Sequence, residues 1–185
     1  MKLKNFKGRI PNGYLIDAKF DPEVNIFVGL NGVGKTLFLE ELAKKASEDG
    51  IPYAFFKEDE DVSQVSMEKR KKVIEWDKDK EYYEIFHNIL SQEKISLGQR
   101  RFISLIFFLL ENKDKDIIFI DTPESNLHVR IQLDLIKMIR KICPKSQIFL
   151  TIHSPAITME GWFGIEVQMH EIIIATGKNP PLERE

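Results

Sequence analysis

A glycine-rich octapeptide occupies residues 29–36 and reads Gly-Leu-Asn-Gly-Val-Gly-Lys-Thr, which fits the pattern Gly-x-x-x-x-Gly-Lys-Ser/Thr at every fixed position. In such a loop the glycines let backbone N–H groups turn towards a phosphate, the lysine reaches the β- and γ-oxygens, and the hydroxyl ligates Mg²⁺. A strand must lead into the loop and a helix must follow it, because the helix N-terminus adds partial positive charge. The sequence supplies a β-branched and aromatic run at Val24–Val28 and helical apolar spacing after Thr36. We therefore predict a phosphate-binding loop whose contributing residues are Gly29, Asn31, Gly32, Val33, Gly34, Lys35 and Thr36.

The rest of the chain alternates predicted strands with predicted helices. Short apolar runs at Ile117–Ile120 and Ile148–Ile152 read as buried strands, and apolar residues recur at helical spacing over residues 103–110 and 129–139. This alternation predicts an α/β fold with a mostly parallel sheet flanked by helices and a β-rich N-terminal part. Together with the glycine-rich loop at residues 29–36, the predicted fold resembles that of P-loop NTPases. The length of 185 residues is typical of a single domain.

Composition excludes several classes of protein. The 27 basic and 29 acidic side chains leave a net charge of −2, which argues against a surface that is basic throughout and binds nucleic acid everywhere. One cysteine, Cys143, excludes an intramolecular disulfide framework and a multi-cysteine metal site. Neither a signal peptide nor an apolar run long enough to span a bilayer is present, so we expect a cytoplasmic protein without a membrane span.

Residues 57–94 form a short charged and helical insertion within the predicted domain. Acidic and basic residues nearly balance over 57–82, and apolar residues are sparse there, which favours a solvated segment. The alternative is that the basic stretch Lys69–Lys72 contacts nucleic acid or a partner protein.

A carboxylate directly follows one predicted strand. Asp121 comes after four apolar residues, and the strand, expected beside the phosphate-loop strand, would carry it to the edge of the sheet where ligands bind. There Asp121 would hold Mg²⁺, and Glu124 would orient or deprotonate the water that attacks the γ-phosphate. Residues 120–128, Ile-Asp-Thr-Pro-Glu-Ser-Asn-Leu-His, resemble the Walker B motif and D-loop of ABC-type ATPases. They are closer to the DNA-repair and defence branch of RecF-like, structural-maintenance-of-chromosomes and overcoming-lysogenization-defect ATPases than to transporters.

Three further motifs carry the same resemblance. Residues 95–99, Ile-Ser-Leu-Gly-Gln, are similar to the ABC signature Leu-Ser-Gly-Gly-Gln, with Leu97 in place of the first glycine. The resemblance implies that Ser96, Gly98 and Gln99 bind the γ-phosphate held by an opposite subunit. His153, in Leu-Thr-Ile-His-Ser-Pro, resembles the switch histidine that contacts the γ-phosphate and the attacking water. Near the N-terminus, Asn5-Phe6-Lys7-Gly8 is similar to the first-strand motif of the repair branch.

The chain departs from the family in three places. In the family a glutamine lies between the phosphate loop and the signature and contacts Mg²⁺. No clear motif marks this glutamine here, and Gln64 is the candidate for it. The stretch between Lys35 and Ser96 is too short for a long coiled coil. Only 32 residues follow His153, fewer than a nuclease domain needs, so we expect the effector to be a separate protein.

These features predict an Mg²⁺-dependent ATPase that forms an ATP-dependent homodimer around two ATP molecules and acts with a separate effector, in DNA repair or phage defence. One alternative is an ATP-gated scaffold with little turnover, whose output is partner or nucleic-acid binding. The other is the ATPase subunit of a membrane transporter. The fold alone does not choose among them.

Overall fold

The computed structural model describes residues 1–11, 13, 15–29, 32–57, 66–77, 82–92, 94–124, 127–153 and 165–167. Within these residues the elements run, in chain order, β1 (Asn5–Arg9), β2 (Leu15–Lys19), β3 (Val24–Gly29), α1 (Lys35–Glu48), β4 (Tyr53–Phe56), α2 (Met67–Trp76), α3 (Tyr83–Leu90), α4 (Leu97–Asn112), β5 (Ile117–Ile120), α5 (Val129–Ile142), β6 (Gln147–Ile152) and β7 (Ile165–Val167).

Five of these strands form one parallel sheet in the order β4-β5-β6-β3-β7. The predicted α/β fold with a mostly parallel sheet is confirmed. The predicted neighbour of the phosphate-loop strand is wrong, however, because β6 lies between β3 and β5. Since all five strands run the same way, the loops that follow β3, β5 and β6 meet at one edge of the sheet.

Both faces of the sheet are covered, as a parallel sheet requires. Alternate residues of β5 divide between two fully buried clusters, with Ile117 and Phe119 on one face and Ile118 and Ile120 on the other. Helix α1 and the β1–β2 hairpin cover the first face, and residues of α2 to α5 cover the second. The β5 strand is therefore held rigidly from both sides, which fixes the position of the loop after it.

The antiparallel β1–β2 hairpin is attached to the sheet through the side chain of Gln147. Its Oε1 accepts the Leu3 N–H at 2.8 Å, and its Nε2 donates to the carbonyls of Leu3 at 2.9 Å and Asp21 at 2.7 Å. A buried amide with all these hydrogen bonds satisfied costs little and anchors the β-rich N-terminal part that the sequence predicts.

The predicted insertion contains helices α2 and α3. The basic stretch Lys69–Lys72 lies on α2, where Lys72 Nζ contacts Glu111 Oε1 at 2.7 Å and Arg70 Nη1 donates to the Leu90 carbonyl at 3.2 Å. The hydrogen bond with Glu111 raises the pKa of Lys72 above its ordinary value. Two basic side chains of the stretch therefore bond within the chain, which leaves less of its charge for a nucleic acid.

No helix among the described residues is long and apolar enough to cross a membrane.

Candidate nucleotide-binding site

The described part of the glycine-rich loop has the backbone conformation that its glycines allow. Gly32 has φ 81° and Gly34 has φ 98°, both in the left-handed region that side chains with a Cβ rarely adopt. Gly34 is the N-cap of α1, so the helix begins at Lys35 with its N-terminus at the loop. The sequence prediction of a strand, a loop and a helix is confirmed at these residues, whereas Asn31 lies outside the described residues.

Lys35 lies buried at the start of α1, with only 5% of its surface exposed. Its Nζ donates to the Gly29 carbonyl at 2.7 Å and lies 3.1 Å from Nδ1 of His153. A protonated lysine can donate to Nδ1 only in the imidazole tautomer that carries its proton on Nε2. The two predicted phosphate contacts, Lys35 and His153, are thus neighbours.

Thr36 and Asp121 bring a hydroxyl and a carboxylate together at the same edge of the sheet. Thr36 Oγ1 lies 2.9 Å from Oδ2 of Asp121 and 3.2 Å from Oδ1. Hydroxyl and carboxylate oxygens are the hard donors that Mg²⁺ prefers, and this ion usually takes one or two carboxylates together with substrate phosphates. These residues therefore fit a magnesium ion bound with ATP.

Two threonines that the sequence analysis did not single out surround Asp121. Thr151 Oγ1 donates to Asp121 Oδ1 at 2.5 Å and accepts the Thr122 N–H at 2.9 Å. Thr122 has φ 47°, an unusual conformation for a β-branched residue, and it precedes Pro123. A hydroxyl inside the apolar strand Ile148–Ile152 was the signal for Thr151, because a buried hydroxyl needs a partner.

Glu124 and His153 meet on the loops that follow β5 and β6. Glu124 is 4% exposed, and its Oε1 accepts the backbone N–H of His153. The Glu124 carbonyl accepts the Leu127 N–H at 2.9 Å. Glu124, the predicted general base, is thus hydrogen-bonded to the backbone of His153, the predicted γ-phosphate contact.

Arg101 is a further residue that the sequence analysis missed. It is 4% exposed, and its Nη2 donates to the carbonyls of Asp121 at 3.0 Å and Lys57 at 3.2 Å. Its guanidinium also lies 5.1 Å from the ring centre of Phe56. Because Arg101 belongs to α4, it joins that helix to the backbone at the end of β5. The only signal for Arg101 in the sequence is its place just before the predicted helix at residues 103–110, and that signal is weak.

The signature residues form a separate group at the N-terminus of α4. Ser96 is the N-cap, its Oγ accepting the Gln99 N–H at 3.2 Å while Gln99 Oε1 accepts the Ser96 N–H at 2.7 Å. This is a capping box, and the Ser96 hydroxyl proton takes no part in it. Gly98 is buried, whereas Leu97 is 54% exposed. The motif therefore opens helix α4.

The structure therefore brings most predicted site residues together. Gly29, Lys35, Thr36, Asp121, Glu124 and His153 are joined by hydrogen bonds at one edge of the sheet. Ser96 and Gln99 bond to each other instead, and Gln64 lies outside the described residues.

A family model matches part of this chain. Residues 78–158 match the family model for the AAA ATPase domain. The matched stretch contains the signature, Asp121, Glu124 and His153, and the loop at 29–36 precedes it. The loop and the match are thus separate indications of a P-loop ATPase. The chain has no significant match among curated proteins.

Proposed function

We propose that this chain is an ABC-type ATPase head that pairs face to face with a second copy around two ATP molecules and couples their hydrolysis to a separate effector. The observation that carries the proposal is the convergence of five side chains at one edge of a parallel sheet, although the first and last of them are 118 positions apart in the chain. They are Lys35, Thr36, Asp121, Glu124 and His153.

Each of these residues has a role that its chemistry supports. Lys35 would contact the β- and γ-phosphate oxygens, and Thr36 with Asp121 would hold the magnesium ion. A bound magnesium ion neutralises charge that develops on the phosphate oxygens. Glu124 would orient the attacking water and accept its proton, and His153 would donate from Nε2 to the γ-phosphate.

The signature residues support a site shared between two copies. Ser96 and Gly98 lie at the N-terminus of a 16-residue helix, where N–H groups and the helix dipole favour an anion. Ser96 bonds within its own capping box rather than to the Lys35 cluster, and exposed Leu97 lies beside it. An anion bound here would thus be the γ-phosphate of the second copy, so that ATP would hold the two heads together.

The biological process follows by analogy with the DNA-repair and defence branch that residues 120–128 resemble. In that setting the opening and closing of the dimer would control a separate effector, such as a nuclease. The intact pair Asp121 and Glu124 favours turnover over the alternative of an ATP-gated scaffold.

The Glu124→Gln variant tests the dimer. Replacing the base by an amide of the same shape should block hydrolysis and trap the ATP-bound pair, because closure would no longer be followed by release. Light scattering should give a dimer for this variant in saturating Mg·ATP and a monomer for the double variant that also carries Lys35→Ala. A monomeric Glu124→Gln variant in saturating Mg·ATP would contradict the paired model.

A further inference from the structure

The hydroxyl of Thr151 takes part in two hydrogen bonds that reach the metal-binding carboxylate and the turn after it. Its Oγ1 lies 2.5 Å from Asp121 Oδ1 and 2.9 Å from the Thr122 nitrogen, and the residue is fully buried. No motif considered above assigns Thr151 a role.

The direction of these hydrogen bonds is fixed by the groups involved. The Thr122 N–H can only donate, so Thr151 Oγ1 accepts from it. The Asp121 carboxylate can only accept, so the single proton of the Thr151 hydroxyl points at Oδ1. The Thr122 hydroxyl, whose oxygen is 3.4 Å from Thr151 Oγ1, is then left as the donor in that weaker contact.

This arrangement gives the two carboxylate oxygens of Asp121 different nearest partners, although Thr36 Oγ1 also lies 3.2 Å from Oδ1. Oδ1 is held by Thr151 inside the sheet, and Oδ2 lies closest to Thr36 Oγ1, at 2.9 Å. Rotating the carboxylate away from Thr36 would break a short hydrogen bond to a charged group in a buried place, which is costly. Thr151 thus keeps one oxygen turned towards the position where Thr36 would share a metal ion.

The strained turn after Asp121 depends on the same hydroxyl. Thr122 has φ 47°, and a β-branched residue before a proline adopts this conformation only where its surroundings hold it. The bond from its N–H to Thr151 is such a restraint. The turn leads through Pro123 to Glu124, so Thr151 also fixes the backbone position of the proposed general base.

We propose that Thr151 is a positioning residue that sets the orientation of Asp121 and thereby the affinity of the site for its divalent cation. This inference rests on the proposed function, because it assumes that Thr36 and Asp121 hold the ion bound with ATP. Groups that bond to a metal ligand in this way commonly change metal affinity by about 10- to 100-fold when they are removed.

The test compares Thr151→Val, which keeps the shape but removes the hydroxyl, with Thr151→Ser, which keeps the hydroxyl. Binding of Mn²⁺ would be followed by electron paramagnetic resonance in the presence of a non-hydrolysable ATP analogue. Binding of a fluorescent ATP analogue in EDTA would report the fold and the metal-free site. We expect Thr151→Val to weaken Mn²⁺ binding about 10- to 100-fold with metal-free nucleotide binding unchanged, and Thr151→Ser to bind Mn²⁺ like the wild type.

Turnover offers a second measurement of the same role. Raising the Mg²⁺ concentration should increase the hydrolysis rate of Thr151→Val more than that of the wild type, because excess ion offsets the weaker binding, whereas the loss of the Thr122 restraint remains. If valine prevents folding, Thr151→Ala removes the hydroxyl without the second γ-methyl and serves for the same titrations.

The outcomes separate this inference from the proposed function. Wild-type protein that binds Mn²⁺ with the ATP analogue, beside a Thr151→Val variant that binds it equally well, would overturn the role of Thr151 alone. Wild-type protein that shows no nucleotide-dependent Mn²⁺ binding would overturn the proposed function, and this inference with it.

Discussion

Thr36 Oγ1 lies 2.9 Å from Asp121 Oδ2 although the two residues are 85 positions apart in the chain. The strands before them, β3 and β5, are not neighbours, since β6 lies between them. The contact therefore spans the carboxyl edge of an intervening strand, and Thr151 from that strand completes it. The residues of the candidate metal site thus lie on, or follow, three adjacent strands of the sheet, β5, β6 and β3.

Replacing Thr36 by alanine should raise the Mg²⁺ concentration needed for half-maximal ATP hydrolysis about tenfold or more, because this ion demands near-ideal oxygen geometry and would lose one ligand. Thr36→Ser, which keeps the hydroxyl, is the matched control. A titration of phosphate release against Mg²⁺ measures the effect. Equal Mg²⁺ requirements for the alanine and serine variants would show that the hydroxyl is not a ligand.

Ser96→Asp should separate the helix-capping role of Ser96 from its proposed role in binding the phosphate of the second copy. Aspartate caps a helix about as well as serine and favours the helix dipole, so the urea midpoint should change little. Its charge would repel a phosphate from the second copy, so the ATP-dependent dimer of the Glu124→Gln background should disappear. Ser96→Asn, a neutral cap of similar size, controls for shape. A dimer that survives Ser96→Asp would place the γ-phosphate elsewhere.

Arg101→Met should destabilise the fold by about 2–3 kcal/mol, because it leaves the carbonyls of Asp121 and Lys57 without a buried charged donor. Arg9 offers a matched control, since it is exposed and donates to the Gly13 carbonyl. Urea unfolding of Arg9→Met should show a loss below about 0.5 kcal/mol. Losses of equal size in the two variants would mean that Arg101 does not support the end of β5.

Burial raises the pKa of the Cys143 thiol from 9.0 to about 12, and its Sγ donates to the Leu109 carbonyl at 3.7 Å. Above pH 9 the unfolded chain loses this proton while the native chain keeps it, so the thiol lowers stability as pH rises from 9 towards 12. The free energy of unfolding should fall more steeply over this range for the wild type than for Cys143→Ala. Parallel pH profiles for the two proteins would refute a buried, protonated thiol.

Local pattern was sufficient to predict the elements that carry the site. The run at Val24–Val28, the glycines before Lys35 and the apolar strand Ile117–Ile120 each determine their own local structure, so β3, α1 and β5 lie where the sequence places them. The aromatic strand β4, Tyr53–Phe56, was missed because it contains no β-branched residue, unlike β5, and borders a charged segment.

Strand order and the surroundings of Asp121 could not be read from local pattern. Which strand lies between β3 and β5 depends on how helices cross the sheet, and no residue of β6 encodes its neighbours. Thr151 and Arg101 each bond to Asp121, which lies 30 positions from Thr151 and 20 positions from Arg101 in the chain. Motif spacing predicts the side chains that would face the ligand, whereas the residues that hold them in place are found only from the packing.

Phosphate release from ATP by the purified protein tests the central claim most directly. The wild type in Mg·ATP should release phosphate well above the level of Lys35→Ala, which lacks the cation for the β- and γ-oxygens, and of Glu124→Gln, which lacks the base. Release should stop when EDTA removes the metal. A wild-type rate no higher than that of Lys35→Ala, in protein that still binds ATP, would contradict a hydrolytic site and favour an ATP-gated scaffold.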